Sequence, residues 1–396
     1  MASFSPVYSI EEIPQQRWQA LLAQADNTQP GLHYPFLDYR FLLALEQHQC
    51  IDARQPDPLA ASHSGWLVHY LVAKNSTGEI DQILPAFIKQ HSYGEYVFDW
   101  SWADAYQRHS FDYYPKLLLA APFTPASGPR RLGRPDADWS GVCEALQQHC
   151  ATLGLSGWHL NFIMPDSHQL LSQQAGVLPR MACQFHWYNR QYQHFDHYLE
   201  GFTSRKRKAV RKERQKVTQQ GLTLVRKTGN DIQPDDIEVF YQCYQMTYAL
   251  RRSRGYLNRG FFQQLRDTLN EQMMLVMACD QHQQPQACAL YFFDQHTLYG
   301  RYWGALQEFD ALHFEACYYQ GIEFCIERGL QRFDPGTQGE HKISRGFEPT
   351  LTYSGHQLMH PEFQRAVADF VAQERQQVLL YRDQANTLLP FKNAPD

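Results

Sequence analysis

Residues 297–336 read TLYGRYWGALQEFDALHFEACYYQGIEFCIERGLQRFDPG, and the fold follows from how this stretch divides. Thr297–Gly304 is aromatic-rich and reads as a strand. Between Leu312 and Arg328, the residues Ala316, Tyr319, Ile322 and Ile326 recur at helical spacing, and Gly329 closes the helix they predict. Gln331–Asp334 is a short strand ended by Pro335 and Gly336. Working outward, Leu222–Arg226, Met274–Cys279 and Ala287–Phe293 read as strands. Asp235–Leu250 is a helix with Ile237, Phe240, Tyr244 and Tyr248 inward, and Arg259–Glu271 is a second. Pro361 opens a last helix lined by Phe363, Val367, Phe370, Val371 and Val378.

This order of strand, two helices, three strands, helix, strand and helix resembles that of a GNAT-type acyltransferase domain. The first half gives a looser version. Helices fit residues 15–24, 36–48 and 138–152, and strands fit 66–73, 82–89, 117–121 and 158–164. The two halves share element order and no visible sequence repeat. A chain of 396 residues exceeds the ~250–300 at which one core stops growing, so two domains are expected. Apolar residues make up 43% and charged residues 19%, which excludes disorder as the main state.

The nine cysteines are scattered without a CxxC pair, so free thiols in a reducing cytoplasm are expected, with no cysteine zinc cage. No secretory pattern opens the chain, and apolar runs such as Leu117–Phe123 fall short of the ~20 residues of a membrane helix. A cytoplasmic protein without membrane insertion is the expectation.

Charge is placed unevenly. Residues 1–200 and 228–396 each carry a net charge of −7, whereas residues 201–227 carry +9. The run SRKRKAVRKERQK, Ser204 to Lys216, holds eight cations and one acid. It reads as part of a helix beginning near Asp196, with Phe195, Leu199, Phe202, Val210 and Val217 as its apolar stripe. Lys206 and Glu213 fall on that stripe. A charge run is commonly a solvated face, but this density exceeds what solubility requires. Arg205, Lys206, Arg207, Lys208 and Arg211 are therefore candidates for holding an anion.

Four stretches carry a family resemblance: His91–Gln107 (HSYGEYVFDWSWADAYQ), Tyr113–Arg130 (YYPKLLLAAPFTPASGPR), Ser204–Arg214, and Leu298–Pro349 with its RFDPGTQGEHKISRGFEP ending. Together they resemble the FemAB-like, GNAT-superfamily acyltransferases labelled for peptidoglycan biosynthesis or recognition. The resemblance implies an α/β fold of two tandem GNAT-like domains with a substrate cleft at or near their junction. The expected boundaries are residues 1–194 and 221–396, joined by the basic helix 195–220. Fem-type relatives append amino acids from aminoacyl-tRNA to a peptidoglycan precursor peptide. They carry a Phe-Lys motif ahead of a Gly-aromatic pair. The nearest match here is His341-Lys342 before Arg345-Gly346-Phe347, with His in place of Phe and a longer spacing.

Amide formation by direct attack needs an activated acyl group, a neutral amine and stabilisation of the developing oxyanion. In GTQGEHKISRGFEP, Gly336 to Pro349, Lys342 can stabilise the oxyanion, and His341 or Glu340 can take the amine proton; a solvated polar loop would read the same way. Arg345 lies in the same stretch. In the first half, Glu95, Asp99, Trp100 and Asp104 among many aromatics suggest a site for an amine or sugar, or else an aromatic core edge. Tyr302 and Trp303 are candidate cleft walls. The loop Ala305–Ala311, where a CoA-binding cradle belongs, has no glycine and carries Glu308 and Asp310, so ordinary CoA pyrophosphate binding there is not expected.

No G-x-S-x-G elbow and no Walker A sequence occurs, and His194 and His197 stand as a lone pair without further metal ligands in sequence. The expected activity is transfer of an acyl or aminoacyl group to an amine, with aminoacyl-tRNA or an acyl-CoA as donor and no metal. The partner would be a phosphorylated or nucleotide-linked small molecule or a tRNA acceptor end. The rival is a non-catalytic module that recognises cell-envelope fragments or RNA.

Overall fold

A computed structural model describes residues 3–26, 32–133, 139–337 and 339–392. Asp138, at the start of an expected helix, and Gln338, in the polar loop, lie outside the described residues. The chain forms two compact units, Met1–Ala182 with Leu351–Leu379, and Cys183–Thr350 with Leu380–Asp396.

In the first unit, strands Trp66–Val68, Ala86–Lys89, Lys116–Leu119 and Gly157–Ile163 lie side by side, followed by residues 353–358 of the strand Glu348–Leu358. Lys116–Leu119 runs parallel to Gly157–Ile163. A parallel pair needs a crossover, supplied by helix Ser140–Leu153. Its Val142, Leu146 and Cys150 are buried in one cluster with Leu117, Leu119, Trp158 and Leu160. Helix Trp100–Arg108 buries Trp102 and Tyr106 against Phe363, Val367 and Val371 of the last helix, Pro361–Asn386. Strand pairing and this cluster together hold residues 351–379 to the first unit.

The second unit repeats the plan. Thr223–Thr228, Met273–Cys279, Pro285–Phe293 and Thr297–Ala305 form an antiparallel meander. Arg332–Asp334 then joins parallel to Thr297–Ala305 and pairs on its other side with Trp187 and Tyr188. The crossover helix, residues 312–328, packs closely because Gly321 has no side chain: a Cβ there would lie 2.6 Å from the Phe333 ring. The turn Glu315–Tyr319 within it is π-helical. Each unit thus closes with a strand taken from the other half of the sequence.

Two expectations need correction. The basic helix does not continue from Asp196: Phe195–Glu200 and Ser204–Gln219 are separate helices. Phe202 is fully buried and bridges Phe391, and the Thr203 N–H donates to the Pro390 carbonyl at 2.8 Å, which takes the backbone out of helix there. The strands Leu178–Tyr188 and Glu348–Leu358 were not anticipated. Glu348–Leu358 buries Thr352, Ser354 and His356, so its inward face lacks the apolar alternation that announces a strand, whereas Leu178–Tyr188 does alternate, with Met181, Phe185 and Trp187 on one face and Gln184 and His186 buried on the other.

Candidate functional site

The site in the second unit begins where a pair of parallel strands ends. Pairing between Thr297–Ala305 and Arg332–Asp334 reaches Tyr299 opposite Asp334 and stops, because Pro335 has no N–H to offer. The Asp334 carboxylate accepts the Gly336 N–H at 2.9 Å. Gly336 and Gly339, at φ +87° and +105°, then turn the chain into a short 3-10 turn, Glu340–Arg345. Gly339 is needed twice over, since a Cβ there would strike the His341 ring at 2.0 Å.

This turn carries Lys342 inward and His341 outward. Lys342 is 1% exposed, and its Nζ donates to the Gly336 carbonyl at 2.6 Å. Burial pulls its pKa down to about 8, against the opposing pull of Asp334 and Cys317. His341 Nε2 lies 2.8 Å from the Tyr318 hydroxyl. Burial, then Arg345 and Lys342, lower its pKa, so the imidazole is neutral at pH 7 and able to take a proton. Glu340 is exposed and accepts the Tyr381 hydroxyl at 2.8 Å.

A row of rings extends the site. His313 lies 6.1 Å from His341, 5.3 Å from Tyr318 and 5.5 Å from Trp303. Burial, then His341, Lys342 and Arg345, depress the His313 pKa to about 4. Tyr302, one residue before Trp303, turns the other way as strand alternation requires, into a ring cluster with Phe240, Tyr244 and Phe262. Of the two expected cleft walls, only Trp303 reaches this site. With Glu308, Asp310 and His313 it lines a cavity of ≈ 530 Å³. The loop beside that cavity is held by the chain itself: Lys216 bonds Asp310 at 2.6 Å, and Gln220 Oε1 accepts the Asp310 N–H at 3.0 Å. Its acids and these bonds oppose a phosphate cradle.

Arg345 is buried and committed internally. It donates to Glu213 at 3.2 and 2.7 Å and to the His341 carbonyl at 2.7 Å, and its guanidinium sits 3.4 Å from the Phe314 ring centroid. It positions the turn. Glu213, the one acid of the basic run, therefore ties the basic helix to the Lys342 turn, and it also accepts the Tyr319 hydroxyl. Arg214 makes a two-point pair with Glu315, both contacts at 2.9 Å, and bonds Glu323 at 2.6 Å. Arg211 pairs with Asp196 at 2.7 Å. Among the described residues no ion pair neutralises Arg205, Lys206, Arg207, Lys208 or Lys212.

The FemAB-like family, described as peptidoglycan biosynthesis/recognition, matches residues 9–393. The chain belongs to the FemAB-like family. No curated protein sequence matches it. Solved structures share the fold at low identity. FemX is 10% identical, with a TM-score of 0.51 and coverage of 90% of this chain and 98% of that one. The C-terminal domain of a protein named as a lysylphosphatidylglycerol synthetase from Agrobacterium fabrum is 11% identical, with a TM-score of 0.50 and coverage of 92% and 97%. A conserved protein of unknown function from Bacteroides thetaiotaomicron is 10% identical, also at 0.50, with coverage of 90% and 98%. The fold is mixed α/β with tandem GNAT-like domains, as the resemblance implied.

The first-unit stretch of this FemAB-like chain is built differently. Glu95 and Asp99 are buried, and the amine they hold is the chain's own: Lys116 Nζ donates to Glu95 Oε2 at 2.9 Å, to Ser92 Oγ at 2.9 Å and to Asp99. Tyr113 donates to the same Asp99 oxygen at 2.7 Å. Burial raises the Asp99 pKa, but the Lys116 charge outweighs it and holds the carboxyl well below its usual range. Burial lifts Glu95 to about 7. Asp104 and Trp100 stay exposed, with Trp100 edge-on to Tyr93 at 5.1 Å. The four residues expected together are therefore divided between a buried ion cluster and a surface.

Sequence reasoning missed His313, Phe314 and Tyr318. Their only signal was His313 in His-Phe-Glu at a helix start; the π-helical turn that brings Tyr318 to His341 has no sequence mark.

Proposed function

We propose that this FemAB-like protein forms an amide bond by transferring an acyl or aminoacyl group to an amine acceptor, of which a peptidoglycan precursor peptide is the class the family description favours. The observation carrying this reading is Lys342: a sealed lysine with its pKa pulled to about 8, behind a neutral imidazole. The acceptor amine attacks the acyl carbonyl carbon, and the carbonyl electron pair moves to oxygen. Lys342 bonds one carbonyl oxygen at rest, and an oxyanion is a stronger acceptor, so the developing charge draws the ammonium to it. His341 takes the proton released by the attacking nitrogen and returns it to the leaving oxygen or sulfur as the tetrahedral intermediate collapses.

The occupied loop at Asp310 weighs against a CoA thioester and supports aminoacyl-tRNA as donor. The unneutralised cations Arg205, Lys206, Arg207 and Lys208 hold the phosphorylated partner. A recognition module is the reading favoured by the seal over Lys342, which is 1% exposed. Incubation with labelled aminoacyl-tRNA or acyl-CoA and a panel of muropeptide amines separates the two. Label in the amine supports transfer; retention of acceptor without transfer from any donor supports recognition.

A further inference from the structure

Between Glu238 and Asp267 the sequence holds no acidic residue and five arginines. Arg259 pairs back to Glu238 at 2.6 Å, and Arg266 pairs with Asp267. Arg251, Arg252 and Arg254 are exposed, with no ion pair among the described residues. They form the tip of helix Pro234–Leu250 in the second unit.

The tip is a fixed turn. The Arg251 and Ser253 N–H groups both donate to the Tyr248 carbonyl at 3.0 Å, and the Arg252 N–H donates to Ala249 at 3.0 Å. Arg252 is held in the left-handed region at φ +53°. Gly255 lies against Tyr244, where a Cβ would meet the ring at 2.5 Å, and the Leu257 N–H donates to the Tyr244 hydroxyl at 3.3 Å.

Apolar side chains share this tip. Leu250 is 73% exposed, and Met246, one turn before it on the same face, and Tyr256 are each 37% exposed. A helix C-terminus attracts a cation, but three cations beside the exposed Leu250 and Met246 exceed that need. Leu250 and Met246 offer a nucleic-acid base no ring to stack on, and the Tyr256 ring beside them is set edge-on against Tyr248. They suit the boundary between headgroups and acyl chains, with guanidiniums level with the phosphates.

We propose that this tip seats the protein on an anionic lipid surface, Leu250 and Met246 entering the interface and Arg251, Arg252 and Arg254 pairing with headgroup phosphates. The contact is peripheral, weak and salt-sensitive, since one small anchor gives only reversible attachment. It stands apart from the transfer reading and needs no donor or acceptor.

The test is Leu250→Cys in the full chain, labelled with a polarity-sensitive dye. The nine native cysteines are buried or half-buried, which favours labelling at 250. Vesicles of phosphatidylglycerol and phosphatidylcholine should shift the emission to the blue, and pure phosphatidylcholine should not. Replacing all three arginines by Gln should weaken vesicle binding about a hundredfold, from about fivefold per cation, with an unchanged thermal melt. Vesicle binding without a dye shift would place the contact elsewhere, for example on the basic helix, and overturn the proposal. A shift produced equally by inorganic pyrophosphate or by RNA in the absence of lipid would overturn it as well.

Discussion

Lys116 and Lys342 are both sealed from solvent, at 0% and 1% exposure, yet they hold charge on opposite terms. Lys116 meets two carboxylates and a serine hydroxyl. Burial alone would lower its pKa; Asp99 and Glu95 outweigh burial and raise it above the ordinary lysine value. Among the described residues Lys342 bonds a single carbonyl oxygen, and burial wins. The first lysine is locked in its charged form as part of the scaffold. The second stands near neutrality, where small changes in its surroundings alter its proton, and that is a property chemistry can use.

The largest effect should come from breaking the locked partner. Lys116→Met leaves Glu95 and Asp99 buried without their cation, and urea denaturation at pH 7 should show a loss of about 3–5 kcal/mol. A loss within the scatter of surface variants would mean that Lys116 is not the clamp.

Lys342→Met sharpens the contrast through pH. The folded pKa of about 8 lies below the unfolded value of about 10.4. Between these values the unfolded chain binds the additional proton, so stability rises with pH. Wild type should gain on Lys342→Met by about 1.4 kcal/mol per pH unit from about 8 to about 10.4. Lys116 stays protonated in both the folded and the unfolded chain through that window, so its own titration should add no slope there. Parallel curves for wild type and Lys342→Met would remove the claim that burial governs this lysine.

The two ends of the basic helix repeat the comparison on a smaller scale. Arg214→Ala strips the two-point partner from buried Glu315 and should cost about 2 kcal/mol, whereas Lys208→Ala should stay within about 0.5 kcal/mol. Reversal of Arg205, Lys206 and Lys208 should instead weaken polyanion binding, with a shallower salt dependence than wild type, read by titration with tRNA. Equal salt slopes would show that these cations do not meet the anion.

The sequence announced the second unit well because its strands and helices carry apolar periodicity at their own spacing, as in residues 312–328. It concealed Glu348–Leu358 because Thr352, Ser354 and His356 on its buried face are polar, whereas Leu178–Tyr188 carried a readable alternation, Met181, Phe185 and Trp187 against Gln184 and His186. It also gave no sign that residues 351–358 return to the first unit, since strand order in a sheet is not written in chain order. At the site, the cluster Glu340, His341, Lys342 and Arg345 was legible as a motif. Its division of labour was not: Arg345 faces Glu213 across 132 residues of chain, and Glu95 and Asp99, in the segment leading into helix Trp100–Arg108, meet Lys116 of a later strand only through the fold. His313 and Tyr318 join the site through helix geometry alone.

The most direct measurement is single-turnover transfer of a labelled aminoacyl group to a muropeptide amine by wild type and by Lys342→Met, with folding of the variant checked by its thermal melt. Transfer by wild type and its loss in a folded variant are expected. Transfer at the wild-type rate by folded Lys342→Met would contradict the role given to this lysine.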